Sequence, residues 1–215
     1  VSSAARTLVL ATRSAGKLRE LLPLLEAHGW IGRTLADLGL AESPEEDALE
    51  VHDTFEANAL AKAQYFAART GAVVLADDSG LAVDALDGRP GVHSKRWSGR
   101  ADLSGEALDA ENNRVLQRAL AEAARVGREE RTAQYVCAAA GVGPAGSLVV
   151  RGETHGVLLT APQGAGGFGY DPYFRSTDLG CTFAEVTTAA KAAVSHRGRA
   201  FRALLSRLDE FARSS

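Results

Sequence analysis

Hydrophobic positions along this chain fall into short unbroken runs separated by helical stripes. Thr7-Leu8-Val9-Leu10-Ala11-Thr12 is such a run and predicts a buried strand. Arg13-Ser14-Ala15-Gly16 leads from it into a helix with Leu18, Leu21, Leu22 and Leu25 on one face. Pro23 lies inside that helix and predicts a kink, because its ring meets the carbonyl of Arg19. His28-Gly29 ends the helix, and residues 42–53 are acidic and irregular. Asp53, with Glu56 three residues on, predicts a capping-box start to a helix ending near Gly71. Ala72-Val73-Val74-Leu75-Ala76 predicts a second buried strand stopping at Asp77-Asp78-Ser79-Gly80. Leu81 to Leu86 reads as another short strand before the turn Asp87-Gly88-Arg89-Pro90-Gly91.

A long helix is predicted over Ser104 to Val126. Thr132 to Val142 and Ser147 to Thr160 read as two strands joined through Gly143-Pro144-Ala145-Gly146, a hairpin. The last element is an amphipathic helix carrying Phe201, Leu204, Leu205, Leu208 and Phe211 at helical spacing. Crossover helices together with a hairpin point to an α/β protein with a mixed sheet. No repeat, low-complexity segment or Gly/Ser/Pro linker divides the chain. A single domain over residues 1–215 is therefore expected, with two lobes as the alternative organisation.

Composition narrows the function classes. With 215 residues, 46% hydrophobic and 24% charged, the chain is expected to be soluble and to bury one substantial core. A net charge of -3 without a Lys/Arg-rich block excludes a nucleic-acid footprint, so an anionic ligand needs local cations and a metal. No apolar run approaches the ~20 residues of a membrane span, and the first residues do not make a signal peptide. Cys137 and Cys181 lack a CxxC partner and read as reduced thiols, which makes the cytoplasm the expected compartment. Met is absent even at position 1, so the start is expected to lie upstream or to have been removed.

Candidate chemistry begins at Thr12-Arg13-Ser14-Ala15-Gly16-Lys17. A strand passing through a small-residue loop into a helix presents backbone N–H groups, an anion site that Lys17 in the first turn can reach. It is not a Walker A loop, which needs glycine at Ala11 and Ser or Thr at Leu18. A solvated lysine at a helix start is the alternative. Asp77 and Asp78 lie where active sites of α/β sheets open, and strand alternation sends at most one of them into a cleft. A carboxylate there can hold Mg²⁺ or act as a general base; an Asx-turn before Ser79-Gly80 is the structural alternative. Glu45, Glu46, Asp47, Glu50, Asp53 and Glu56 offer a second metal carboxylate, although such a run is mostly a solvated face. Asp53 and Glu56 have a capping explanation and Glu50 is left as a candidate, which spacing alone does not select.

Gly166-Gly167-Phe168-Gly169-Tyr170-Asp171-Pro172 sets two aromatics among glycines, in a segment that is neither regular helix nor central strand. A ring on such a loop offers a platform for a planar ligand, or else tucks into the core. Ser195-His196-Arg197-Gly198 sits at the start of the final helix with Ser195 as N-cap, where imidazole and guanidinium can meet acceptor atoms or simply be solvated. Gly164-x-Gly166-x-x-Gly169 matches a dinucleotide fingerprint, but Pro172 prevents a helix from opening there. No HExxH, Cys/His cluster or GxSxG elbow is present. Core packing is expected for Trp97.

Taken in order, Ala11-Thr12…Gly16-Lys17, Thr54-Phe55…Asn58-Ala59, Ala76 to Leu81, Gly166 to Pro172 and Ser195 to Gly198 resemble the inosine triphosphate pyrophosphatase family. The likeness runs from about Leu8 to about Leu208. It implies an elongated mixed β-sheet flanked by helices, two lobes around a central cleft, and a homodimer. It also implies Mg²⁺-dependent hydrolysis of non-standard purine nucleoside triphosphates (ITP, dITP, XTP) to monophosphate and pyrophosphate. Carried over by position, Lys17 holds phosphates beside the Thr12, Arg13, Ser14, Ala15 and Gly16 backbone. Glu50 and Asp78 bind Mg²⁺, and Asp78 also accepts the proton of the attacking water. Ser79 contacts substrate, Phe168, Gly169, Tyr170 and Asp171 form the base and sugar wall, and Lys191, His196 and Arg197 read the base. The sequence departs from the family at Ser14, where asparagine is usual; a hydroxyl is shorter and has one donor.

Two rival readings stand beside this one. A Maf-type pyrophosphatase acting on dTTP or UTP typically starts with a Ser-Pro-Arg-Arg loop, which is absent. A non-enzymatic nucleotide-binding module is opposed by the presence of both Lys17 and Asp78.

Overall fold

The computed structural model describes residues 6–213, apart from the side chains of 209–213. Six strands form one mixed sheet in the order β2-β1-β3-β4-β5-β6. The strands are β1 (Arg6–Leu10), β2 (Trp30–Thr34), β3 (Val74–Val83), β4 (Thr132–Gly143), β5 (Gly146–Leu158) and β6 (Phe174–Ser176). The helices are α1 (Ala15–Ala27), α2 (Phe55–Thr70), α3 (Gly105–Ala124), α4 (Thr188–Val194) and α5 (His196–Arg213). The chain groups into two compact units, and β3, β4 and β5 each pass from one into the other.

The first unit comprises the described parts of Val1–Asp78, Cys137–Gly152 and Arg197–Ser215. Here β1 pairs in parallel with both β2 and β3, so the α1 and α2 connections are crossovers of the kind that parallel pairing requires. Its core gathers Leu8 and Leu10 of β1, Leu21 and Leu25 of α1, and Leu75 of β3 with Phe201, Leu204, Leu205 and Leu208 of α5. The apolar stripe of α5 is thus buried as its spacing predicts; Phe211 lies outside the described side chains. Pro23 is accommodated within α1, which continues to Ala27.

The second unit comprises Ser79–Val136 and Glu153–His196. Leu81 and Val83 of β3, Leu116 and Leu120 of α3, and Tyr135, Leu158, Phe174 and Phe183 form its core. Trp97 packs against that cluster, as expected. Near its end, β5 pairs antiparallel with β6.

Several predicted boundaries change. β3 does not stop at Asp77-Asp78-Ser79-Gly80 but runs unbroken to Val83; of the second strand expected over Leu81 to Leu86, Leu81–Val83 is the end of β3 and Asp84–Leu86 forms a short 3-10 turn. Gly80 admits the Gly91–Ser94 segment against the strand: a Cβ there would lie 2.3 Å from the carbonyl oxygen of Gly91 and 2.4 Å from Ser94 Oγ. The N-cap of α2 is Thr54, whose hydroxyl accepts from the Ala57 N–H, and not Asp53. Glu56 instead pairs with Arg151 at 2.9 Å. Within residues 42–53, Pro44–Glu50 forms 3-10 helix with Ser43 and Glu46 as its capping box. The segment before α5 carries the additional short helix α4.

Candidate active site

The loop between β1 and α1 is built around a cap. Ser14 is the N-cap of α1, and its hydroxyl accepts from the Lys17 N–H at 3.3 Å. Thr12 Oγ1 accepts from the Ser14 N–H at 3.2 Å, which tightens the same turn. Serine in place of asparagine therefore has a structural occupation here, closing the helix start. Arg13 turns elsewhere: its guanidinium grips Glu46 and the carbonyls of Leu40 and Ala41, tying this loop to the acidic segment. Its side chain is thus engaged with that segment, and its backbone remains the part belonging to the loop.

Lys17 reaches Asp77, with Nζ 2.9 Å from Oδ2. The same oxygen accepts from Arg197 Nε at 3.2 Å, while Arg197 Nη1 donates to Glu20. Both Asp77 and Arg197 are almost wholly buried, 1% and 3% exposed. Burial opposes the charge on Asp77, yet Lys17, Arg197 and Lys62 outweigh it and hold the carboxyl well below the usual carboxylate range. For Arg197, burial works against the cation, but Glu20 and Asp77 raise its pKa further still. Arg197, expected to read a base edge, is placed by the structure as an ion-pair partner of these two carboxylates. Asp77, to which the family resemblance gives no role, is the anchor of both cations.

Asp78 takes the other face, as the pleat requires. Its Oδ2 accepts from Asn58 Nδ2 at 2.9 Å. Burial pushes its carboxyl above the ordinary range, against the pull of Lys62, Lys17 and the Asn58 hydrogen bond, and Glu50 is close enough to push it further. Glu50 is ion-paired with Lys62, whose Nζ also donates to the Asp77 carbonyl at 2.9 Å. Burial disfavours the Lys62 ammonium, but Glu50, Asp77 and Asp78 more than compensate.

The donor set suits Mg²⁺. Glu50 and Asp78 supply hard carboxylate oxygens, and the charge on Glu50 is felt at Asp78; the Lys62 ammonium beside Glu50 would be the neighbour of a metal held there. Among the described residues no group of three or more His, Cys, Asp or Glu could hold a metal. Mg²⁺ commonly uses one or two carboxylates and takes substrate phosphates for the rest, so two are sufficient.

In the second unit the aromatic loop is tightly held. Asp171 Oδ2 accepts from the Phe168 N–H at 2.9 Å and from Lys191 Nζ at 2.6 Å, and Oδ1 lies 3.4 Å from the Tyr135 hydroxyl. Lys191 Nζ lies 4.7 Å from the centre of the Phe168 ring, a cation–π contact. Phe168 is half-buried, whereas Tyr170 is buried and donates to the Ser94 carbonyl at 2.7 Å. Burial pushes the Tyr170 phenol up, so it stays a neutral donor. His196 is buried and stacks on Tyr135, with ring centres 4.5 Å apart and planes within 5°. Ser79 is half-buried on β3.

Asn58, Lys62, Glu20 and Tyr135 carry much of this geometry and were not singled out as site residues from the sequence. Asn58 and Lys62 did leave a signal. They are polar residues four apart on the α2 face that buries Phe55, Ala59, Ala63 and Phe66. Cys137 is an inert neighbour: burial pushes its thiol well up, and both cysteines are free.

A family model described as the Ham1 family matches residues 8–207. The chain belongs to the Ham1 family. It is 48% identical over 204 residues to a dITP/XTP pyrophosphatase of Frankia alni, covering 94% of this chain and 96% of the relative. A dITP/XTP pyrophosphatase of Geobacter sulfurreducens is likewise 48% identical over 202 residues, covering 94% and 96%. Among solved structures, a HAM1 protein from Coxiella burnetii superposes with a TM-score of 0.79 at 33% identity, covering 95% of this chain and 99% of that one. The mixed α/β architecture of this Ham1 chain is thus that of its structural neighbours, and no helix among its described residues is long and apolar enough to cross a membrane.

Proposed function

We propose that the protein hydrolyses non-standard purine nucleoside triphosphates (ITP, dITP and XTP) to the monophosphate and pyrophosphate. The observation that carries this reading is near-full-length identity of 48% with relatives named dITP/XTP pyrophosphatase. The charge arrangement supports it. Lys17, at the head of α1, holds phosphate oxygens together with the N–H groups of the Thr12 to Gly16 loop. Glu50 and Asp78 hold Mg²⁺, which supplies charge neutralisation on those oxygens when bound. Asp78 accepts a proton from water as the water oxygen bonds to the α-phosphorus; the bond to the bridging oxygen breaks and pyrophosphate leaves. Phe168 stacks on the purine, while Lys191 and His196 contact its edge.

On this reading the enzyme acts in the cytoplasm, as a homodimer, cleansing the nucleotide pool. A panel of nucleoside triphosphates with Mg²⁺ tests the activity. ITP, dITP and XTP are expected to give monophosphate and pyrophosphate, with ATP a poor substrate and EDTA abolishing turnover. Diphosphate and inorganic phosphate as products would reject the assignment. Sedimentation at micromolar protein tests the dimer.

A further inference from the structure

Gly169 lies between the two aromatics of the loop, at φ +63, in the left-handed region. A glycine there leaves the dihedrals between Phe168 and Tyr170 softer than any other residue would. Both of its peptide groups are nevertheless held from one side, by α3. The Gly169 N–H donates to Asp109 Oδ2 at 2.7 Å, and Asn113 Nδ2 donates to the Gly169 carbonyl at 2.8 Å. Asp109 and Asn113 are four apart, so one turn of α3 presents an acceptor and a donor together. Asn113 Nδ2 also donates to the Asp109 carbonyl at 2.9 Å, locking the amide in the orientation the glycine needs.

Neither residue is placed where stability alone would put it. Burial pushes the Asp109 carboxyl up, and although the Gly169 N–H pulls it down, the nearby Asp171 and Glu106 push it up further, so its charge is held at a cost. Asn113 is buried, and its Oδ1 has no hydrogen-bond partner among the described residues. An apolar side chain would fill that position without leaving an oxygen unsatisfied. What the amide provides is its donor on Gly169.

We propose that Asp109 and Asn113 are positioning residues that clamp the peptides on both sides of Gly169 and so present the Phe168 ring ready-oriented for the purine. The inference rests on the proposed stacking role of Phe168. With the clamp in place, the loop is ordered on folding. Without it, the ordering of about one backbone residue moves to the binding step, which corresponds to roughly 5–30-fold in affinity. Phosphate and metal chemistry are untouched, so the change belongs in KM.

The test compares Asp109→Ala, Asn113→Ala and Asp109→Asn, measuring kcat and KM for ITP alongside amide hydrogen exchange over residues 166–172. Both alanine variants are expected to raise KM about ten-fold, within the range above, with kcat kept within about two-fold and faster exchange in the loop. Asp109→Asn keeps an acceptor oxygen for the Gly169 N–H and is expected to retain the parent KM. Asn113→Leu fills the same space without a donor and carries the test where an alanine variant does not fold. An unchanged KM in the variants lacking the contact, a fall in kcat at constant KM, or equal damage from Asp109→Asn and Asp109→Ala would overturn the clamp. A parent enzyme that releases no pyrophosphate from ITP would instead reject the proposed function, and loop exchange would still decide the clamp.

Discussion

Lys17 Nζ sits 2.9 Å from Asp77 Oδ2, so the cation assigned to phosphate is tethered to a carboxylate buried inside a strand. That carboxylate also receives Arg197. Removing a buried ion-pair partner leaves the others uncompensated, which commonly costs about 3–5 kcal/mol. The two neighbouring aspartates therefore separate by consequence as well as by direction.

Asp77→Asn is expected to destabilise the fold by roughly 3–5 kcal/mol, read as a lower denaturation midpoint, and to weaken ITP turnover through a displaced Lys17. A variant as stable as the parent would mean that the Lys17, Asp77 and Arg197 contacts do not act together.

Asp78→Asn should behave in the opposite way. The amide keeps an oxygen for Asn58 and removes a charge that burial disfavours, so stability is expected to hold or rise. Turnover should fall by at least the ~10²–10⁴-fold contributed by a general base. Equal stability losses for the two asparagine variants would contradict the assignment of distinct roles.

For Arg197→Ala, the ion pairs with Glu20 and Asp77 predict a loss of stability and lower ITP turnover, with the ratio of ITP to ATP activity unchanged. A collapse of that ratio in a stable variant would give Arg197 a direct role at the base.

Phe168→Ala is expected to weaken ITP, dITP and XTP by similar factors, on the order of 1–3 kcal/mol in kcat/KM, because stacking is nearly blind to base edges. Steady-state kinetics on all three substrates checks this, and unchanged constants would place the ring in the core.

Much of the fold was legible because periodicity and turn chemistry agreed. The β1–α1 unit, the β4–β5 hairpin, α3 and the buried stripe of α5 all stand where their patterns put them. The failures have local physical causes. Asp77-Asp78-Ser79-Gly80 has the composition of a turn, yet β3 runs through it because ion pairs formed by distant residues offset the buried charge. β2 carries Gly32 and Arg33 within five residues and shows little strand signature by itself; parallel pairing with β1 defines it. At the site, the chemistry-bearing residue types were visible, but their mutual engagement was not. Nothing in the spacing of Asp171 and Lys191 announces a buried pair 2.6 Å apart, nor does that of Glu20 and Arg197, which are 177 positions apart. Sequence patterns report neighbours along one element, whereas these contacts are made by the assembled fold.

On the proposed mechanism, water attacks the α-phosphorus of ITP. Hydrolysis of ITP with Mg²⁺ in water enriched in heavy oxygen tests it in one measurement, by locating the label with mass spectrometry. Attack at the α-phosphorus puts label in the inosine monophosphate and none in the pyrophosphate. Label in the pyrophosphate, or in inorganic phosphate released beside a diphosphate, would contradict it.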